Sequence, residues 1–328
     1  MHRRIHLALS ALIAVAALAH AAPVGADTWP SKPIHLVVAY PAGGGLDFVT
    51  RTVAQRLSTA LGQQVIVENR AGASGSIGAD YVARAAPDGY TLLMASPAEV
   101  VVGPIAGQKV PYNAETDFLP IALAGETPLV IVLNPAVPAK TLAAFIAYAK
   151  TMPGKLSYGT PGSGSSMQFA GEAFNAGLGT QIQHVPYRGA APALNDVLGN
   201  QVPMGIVGMP PTVGQVKAGK LVAIAVTSLK RSSVMPDVPA VAELKGMGDY
   251  RFTNWMGLFA PARTPSSIAE RIGAEVAKMM QDSATRKLLL DNGVEPLGLR
   301  GAEFTSFLAA ERQRYKKVAV ERGIHFEE

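Results

Sequence analysis

Apolar and polar positions alternate between two periods along this chain, and the alternation repeats. Ile34 to Tyr40 (IHLVVAY) is apolar throughout, as in a strand buried on both faces, and Pro41 to Gly45 is a turn. Leu46 to Leu61 then carries Phe48, Val49, Val53, Leu57 and Leu61 at helical spacing. Val65 to Glu68 is the next strand, Asn69 to Ser76 a Gly/Ser turn, Ile77 to Ala86 a helix closed by Pro87-Asp88-Gly89, and Thr91 to Ala95 a third strand. The second half uses the same grammar. Strands are expected at Leu129–Leu133, Leu156–Gly159, Met204–Val207, Leu221–Thr227 and, extended, Phe252–Ala260. Helices are expected at Leu142–Lys150, Met167–Leu178 and about Ala190–Leu198, with Thr160 to Ser166 a Gly/Ser turn. Three helices finish the chain, about Ser266–Gln281, Ala284–Asp291 and Ala302–Glu321. Apolar strands alternating with helices predict parallel sheets covered on both faces, arranged as two α/β lobes.

The first residues do not belong to this pattern. Arg3 and Arg4 precede an uncharged apolar run, Leu7 to Ala19, which is shorter than the roughly 20 residues of a bilayer-spanning helix. Small residues follow, with sites for cleavage after Ala21 or Ala26. This is the layout of a secretory signal, so residues 1–26 are expected to be removed and the protein to work in the periplasm. About 300 residues remain, comfortable for two domains. The formal net charge of +5 falls to +3 once Arg3 and Arg4 are subtracted. The densest basic stretch, Arg312 to Lys317, lies in a helical pattern and reads as a solvated face, so no nucleic-acid partner is expected.

The chemistry left open is narrow. Cysteine is absent, which removes disulfides, thiolate metal sites, cysteine nucleophiles and an N-terminal lipid anchor. Outside the signal segment only His35, His184 and His325 remain, so neither a metal site nor a cofactor is expected. Three turns share one design of strand end, Gly/Ser loop and helix start: Pro41-Ala42-Gly43-Gly44-Gly45, Gly72-Ala73-Ser74-Gly75-Ser76, and Pro161-Gly162-Ser163-Gly164-Ser165-Ser166. Glycine brings backbone N–H groups close to a ligand, and a helix N-terminus leaves about four of them unpaired with partial positive charge. Such turns hold carboxylate or phosphate without a cationic side chain. The bland alternative is that these residues only turn and cap the chain. No turn continues into Gly-Lys-Ser/Thr, the third glycine of a dinucleotide fingerprint is missing, and no Gly-x-Ser-x-Gly elbow occurs. No catalytic residue is therefore assigned. The rival reading is an exported hydrolase or isomerase of small carboxylates, using Ser163, Ser165 or Asp47.

The segments YPAGGGLDFVTR, LGQQVIVENRAGASGSIGADYVARAAPDGYTLL, PYNAETDFLPIAL, KLSYGTPGSGSSMQFAGEAF, HVPYRGAAPALNDVLGNQV, AIAVTSLKRSSVMPDVPAVAEL and WMGLFAPARTP occur in this order. Together they resemble the Bug family of TctC-like periplasmic receptors, of the tripartite tricarboxylate transporter type, from about Trp29 onward. The resemblance implies a type II periplasmic-binding-protein fold, a small carboxylate ligand held between two lobes, and delivery to membrane transporter subunits or a sensor kinase by a monomeric receptor. It implies one carboxylate-holding loop at Ala42, Gly43, Gly44 and Asp47. A second falls at Thr160, Gly162, Ser163, Gly164, Ser165 and Ser166, with Ser96, Val207 and Gly208 on the cleft sides. Asp47 reads as a loop brace, since a bare carboxylate would repel an anion. Lobe 1 is expected at 27–125 plus 247–328 and lobe 2 at 126–246, hinged near Leu123–Leu133 and before Trp255. Many relatives carry Val-Asp where this chain reads Val202-Pro203, and His-Leu-Ala where it reads Gln168-Phe169-Ala170. Both departures are expected near the cleft, and with no acidic group there they favour a ligand lacking an ammonium group.

Overall fold

The computed structural model describes residues 29–324; the expected signal segment, its cleavage sites and His325 lie outside them. Strand β1 (Ile34–Val38) leads through the first glycine turn into α1 (Gly45–Leu61), then β2 (Val65–Asn69), α2 (Ser76–Ala83) and β3 (Thr91–Ala95). A π-helical turn, Ala98–Val102, and a short helix, Gly103–Ile105, follow. Strand β4 (Phe118–Leu133) then runs for 16 residues. The second unit is α3 (Leu142–Thr151), β5 (Leu156–Thr160), α4 (Ser166–Leu178), β6 (Ile182–Pro186), α5 (Ala190–Leu198), β7 (Met204–Gly208), α6 (Pro210–Lys217) and β8 (Val222–Val226). The chain returns through β9 (Thr253–Pro261), α7 (Ser266–Gln281), α8 (Ser283–Asp291), β10 (Glu295–Arg300) and α9 (Gly301–Arg322). Among the described residues no helix is long and apolar enough to cross a membrane.

The strand order is β2-β1-β3-β9-β4-β7-β5-β6, with β10 and β8 also on β4. β1, β2 and β3 pair in parallel, as do β5, β6 and β7. The two lobes therefore share one plan and one strand. The first part of β4, Phe118 to Pro128, pairs antiparallel with β9, and the last part, Leu129 to Leu133, pairs with β7 and β8. This is the expected α/β, two-lobed architecture.

The pattern gives most element centres correctly, and the exceptions have local causes. Only Leu129–Leu133 of β4 reads as strand from sequence, because Pro120, Gly125, Glu126 and Pro128 interrupt the apolar run before it. Two register shifts against β9, between Pro120 and Ala122 and between Leu123 and Gly125, leave Ile121 and Ala124 as the unpaired residues and keep Pro120, Gly125, Glu126 and Pro128 in the ladder. β10 also carries a register shift, at Pro296/Leu299, and Gly298 lies at φ 73°. α6 hides behind Pro210-Pro211, although proline is well placed in a first helical turn.

Helix α9 ties the lobes together. Its Tyr315 packs edge-on against Phe169 of α4, with ring centroids 5.1 Å apart, and against Phe252 at 5.5 Å. Beside these rings Glu126 of β4 pairs with Arg251, which also meets Glu311 of α9 at 3.6 Å. The Trp255 indole N–H donates to Glu311 at 3.0 Å and the Thr253 hydroxyl to Glu126 at 2.8 Å. Arginine pairing and hydrogen bonds offset the cost of burying these two carboxylates.

Candidate functional site

The site follows from strand direction. In lobe 1 the carboxyl ends of β1 and β3 point toward the start of β9, since Ala95 lies opposite Gly257 in an antiparallel pair. β9 begins at Thr253, paired with Pro128 in the middle of β4. In lobe 2 the carboxyl end of β7 reaches the same place, with Gly208 opposite Leu129. Both sets of strand ends thus converge on residues 127–129 of β4, where open α/β sheets bind ligands. Loop 41–45 and Ser96 arrive from one lobe; loop 161–166 and Gly208 arrive from the other.

In the first loop Ala42, Gly43 and Gly44 are exposed. Gly43 adopts φ 89°, a left-handed conformation that favours glycine. Its N–H donates to Asp47 Oδ2 at 2.9 Å, so it serves the turn. Asp47 is only 4% exposed and also accepts from Arg51 Nε at 2.9 Å and Asn69 Nδ2 at 2.9 Å. Burial would raise this carboxyl, but the three donors outweigh it and hold it at about 2. Asp47 is thus the brace expected of it. Gly44 caps α1 without a side-chain hydrogen bond, and the N–H groups opening the helix behind it, from Gly45 and Leu46, belong to the turn that lacks intrahelical acceptors.

The second loop repeats this geometry with other side chains. Gly164 adopts φ 69° and donates to Gln168 Oε1 at 2.7 Å. Ser165 caps α4, its hydroxyl oxygen accepting from the Gln168 N–H at 3.3 Å while donating to the Gly162 carbonyl at 2.7 Å. Ser166 is buried and donates to Asn254 Oδ1 of β9 at 3.1 Å, tying this helix start to the strand between the lobes. Thr160 is fully buried, 2.7 Å from His184 Nε2, whose pKa burial lowers to about 4, leaving a neutral ring. Gly162 and Ser163 are partly exposed. Val207 is fully buried with its side chain in the core, and only the neighbouring Gly208 is partly exposed.

Two expectations about the cleft are corrected. Pro203 precedes β7, at the end opposite Gly208, and so lies away from the converging strand ends. Phe169 is fully buried against Tyr315 and offers no surface to a ligand. The case against an ammonium-bearing ligand therefore loses its basis. Two further residues went unnoticed in the sequence. Tyr40 follows β1 with its hydroxyl 3.3 Å from Ser96 Oγ, and both hydroxyls donate to Glu99, at 3.0 and 2.6 Å. Ser96-Pro97-Ala98-Glu99 does have capping-box spacing. Arg70 is held away from the loops: it is paired with Glu68 at 3.0 Å and stacked on Tyr81 at 3.6 Å. A cavity of about 370 Å³ lies elsewhere, under the starts of α7 and α9, and no loop residue lines it.

Comparison with known proteins gives the family. Residues 49–324 match the profile of the tripartite tricarboxylate transporter family receptor. Protein BugT of Bordetella pertussis is 36% identical over 312 residues, covering 95% of each chain. The structure of R. palustris Rpa4515 with adipate superposes with a TM-score of 0.79 at 32% identity, covering 90% of this chain and 99% of that one. MatC from Rhodopseudomonas palustris with bound malate gives 0.72 at 29% identity, covering 88% and 99%. By sequence and by fold, this chain belongs to the tripartite tricarboxylate transporter receptor family.

Proposed function

We propose that this protein is a periplasmic, non-catalytic receptor that closes two lobes on a small carboxylate and hands it unchanged to membrane transporter subunits of the tripartite tricarboxylate type, or to a sensor kinase. Residues 1–26 are its export signal, cut after Ala26 or Ala21, and it works as a monomer. One observation carries the reading: loops 41–47 and 160–166 are built alike, each opening a helix at the carboxyl end of a parallel strand, β1 in one lobe and β5 in the other. Lobe 1 comprises 27–125 plus 247–328 and lobe 2 comprises 126–246, with β4 and the approach to Trp255 as the hinge.

Ala42, Gly43, Gly44 and Asp47 form one half of the site. Thr160, Gly162, Ser163, Gly164, Ser165 and Ser166 form the other, with Ser96, Val207 and Gly208 at its sides. Only closure lets both halves contact one ligand, and that differential affinity shifts the population toward the closed state. A helix terminus contributes roughly 0.3–1 kcal/mol when exposed and up to ~2 when partly buried. Micromolar binding needs about −8 kcal/mol, so neutral hydrogen bonds and burial of the carbon skeleton supply the remainder. Adipate and malate, found with two relatives, are the first probes.

Mass spectrometry of whatever co-purifies, followed by thermal melts with adipate, malate and succinate, tests this reading. A carboxylate should raise the melting temperature, as a ligand specific to the folded state must. A shift with a sugar and none with any carboxylate would refute it. Product formed from a stabilising carboxylate would favour the exported enzyme instead.

A further inference from the structure

Glu99 is a buried acid that the receptor reading does not use. It sits in the π-helical turn Ala98–Val102, just past the carboxyl end of β3, and is 1% exposed. Turns of this kind are rare and frequently mark functional sites. Its Oε1 accepts the Ser96 N–H at 2.7 Å. Its Oε2 accepts the hydroxyls of Ser96 at 2.6 Å and Tyr40 at 3.0 Å. The turn at 72–76 seals the group, because a Cβ on Gly75 would stand 3.2 Å from both Oε2 and the Tyr40 hydroxyl.

The groups hydrogen-bonded to the Glu99 carboxylate carry no charge. Tyr40 comes from just past β1, Ser96 from the end of β3, and the 72–76 turn brings only Gly, Ala and Ser. Tyr112 donates its hydroxyl to the Glu99 carbonyl at 2.8 Å, and the acid of α2 felt by Tyr112 is Asp80. Among the influences on the Glu99 carboxyl burial is the largest, and hydrogen bonds from Ser96, its own backbone N–H and Tyr40 follow. Burial therefore raises its carboxyl to about 7, against the lowering effect of the hydrogen bonds from Ser96 and Tyr40.

A capping box explains Oε1 on the Ser96 N–H. It does not explain why Oε2 also accepts two hydroxyls, those of Tyr40 and Ser96, both of them partly exposed residues. An ionised carboxylate only accepts hydrogen bonds. It takes both hydroxyl protons, so Tyr40 and Ser96 can offer a neighbour only lone pairs, one of which on Ser96 already accepts the Ala98 N–H at 3.3 Å. A protonated carboxyl donates one hydrogen bond itself and frees one hydroxyl to donate outward.

We propose that Glu99 is a positioning residue that sets the hydrogen-bond polarity of the lobe 1 wall at Tyr40 and Ser96. Ionised, the wall accepts from a ligand hydroxyl or ammonium group. Protonated, it donates to a ligand carboxylate. Capture of a carboxylate at this wall thus takes up one proton from solvent onto Glu99, and release returns it. The inference deepens the carboxylate reading and rests on it.

The test is calorimetry of adipate, malate and succinate at about pH 5.5, 7 and 8.5, in buffers of different ionisation heat, on the wild type and Glu99→Gln. Glutamine also serves in a capping box, so the variant keeps the cap and removes the charge. In the wild type, affinity for the carboxylate should fall about tenfold between pH 7 and 8.5 with proton uptake on binding, while Glu99→Gln binds alike at every pH. Equal pH profiles without proton uptake in a probe that binds would reduce Glu99 to a cap and leave the receptor reading standing. Binding of none of the three by either protein at any pH would overturn both. Infrared spectroscopy of the ligand-free wild type needs no variant: a protonated carboxyl band should persist near pH 6 and vanish by pH 8.5. A Glu99 already ionised at pH 6 would refute the proposal outright.

Discussion

The two glycine loops solve one geometric problem with different materials. Gly43 and Gly164 occupy matching places, both with positive φ and both donating to the side chain four residues ahead. The residues that follow, Gly44 and Ser165, share nearly the same backbone, at φ −82° and ψ 170° against φ −83° and ψ 154°. Beyond that the loops diverge. The lobe 2 loop is partly buried, capped by Ser165, and anchored to β9 through Ser166 and Asn254. The lobe 1 loop is exposed, has no side-chain cap, and is held from behind by Asp47. One cradle is prebuilt; the other depends on a single buried carboxylate.

The largest expected effect comes from breaking the lobe 1 cradle without touching the fold. Gly44 has ordinary φ, and a Cβ there would meet nothing closer than the Pro41 carbonyl at 4.0 Å. Gly44→Val should therefore abolish carboxylate binding, a loss of at least about 100-fold or ~2.7 kcal/mol, with a nearly unchanged melting temperature. Gly164→Val is a poorer probe, because its φ of 69° strains any side chain. Unaltered affinity in Gly44→Val, measured by calorimetry, would remove loop 41–45 from the site.

The braces should differ next. Asp47→Ala strands the Gly43 N–H, Arg51 and Asn69 at once and should cost roughly 2 kcal/mol, whereas Gln168→Ala loses one neutral acceptor and should cost about 1. Urea denaturation of both variants measures the ratio. The acid limb adds a second check. Asp47 has a depressed folded-state pKa, so its contribution is present above the ordinary carboxylate range and is lost only as pH falls through about 2. The stability gap between wild type and Asp47→Ala should accordingly hold down to about pH 4 and narrow below it. A gap that closes at neutral pH would mean that Asp47 is not the ionised brace.

Much of this was legible in the chain because it is local. Glycine turns between apolar strands and periodic helices mark both cradles, and the argument that a bare carboxylate at 47 must brace its own loop needs only like-charge repulsion. What escaped depends on distant contacts. The first part of β4 looks broken by Pro120 and Pro128 until β9, more than a hundred residues later, supplies the bulged register. Glu99 has the spacing of an ordinary helix cap, and only Tyr40, 59 positions away, makes it a buried acid at the cleft. Pro203 misled for the same reason in reverse. A residue next to a cleft strand in sequence can sit at its wrong end, and strand direction relative to β4 is a property of the whole sheet.

The smallest effect bears most directly on the contrast between the loops. If the lobe 1 cradle is looser chiefly because Gly44 lacks the hydroxyl that Ser165 supplies, then Gly44→Ser should install it. The backbone at 44 already has the conformation of a serine cap. Replacing serine with glycine at such a position costs only a few tenths of a kcal/mol, so the reverse exchange should stabilise α1 by about that much. Ser165→Gly should lose a similar amount from α4. Hydrogen exchange at the first turn of each helix would register the pair as opposite changes in protection, too small to resolve in a thermal melt. Binding should follow the same sign, because a preordered loop loses less freedom when the lobes close. Slower exchange in α1 without tighter carboxylate binding would place the difference between the loops in Asp47 and its charge, not in the missing cap.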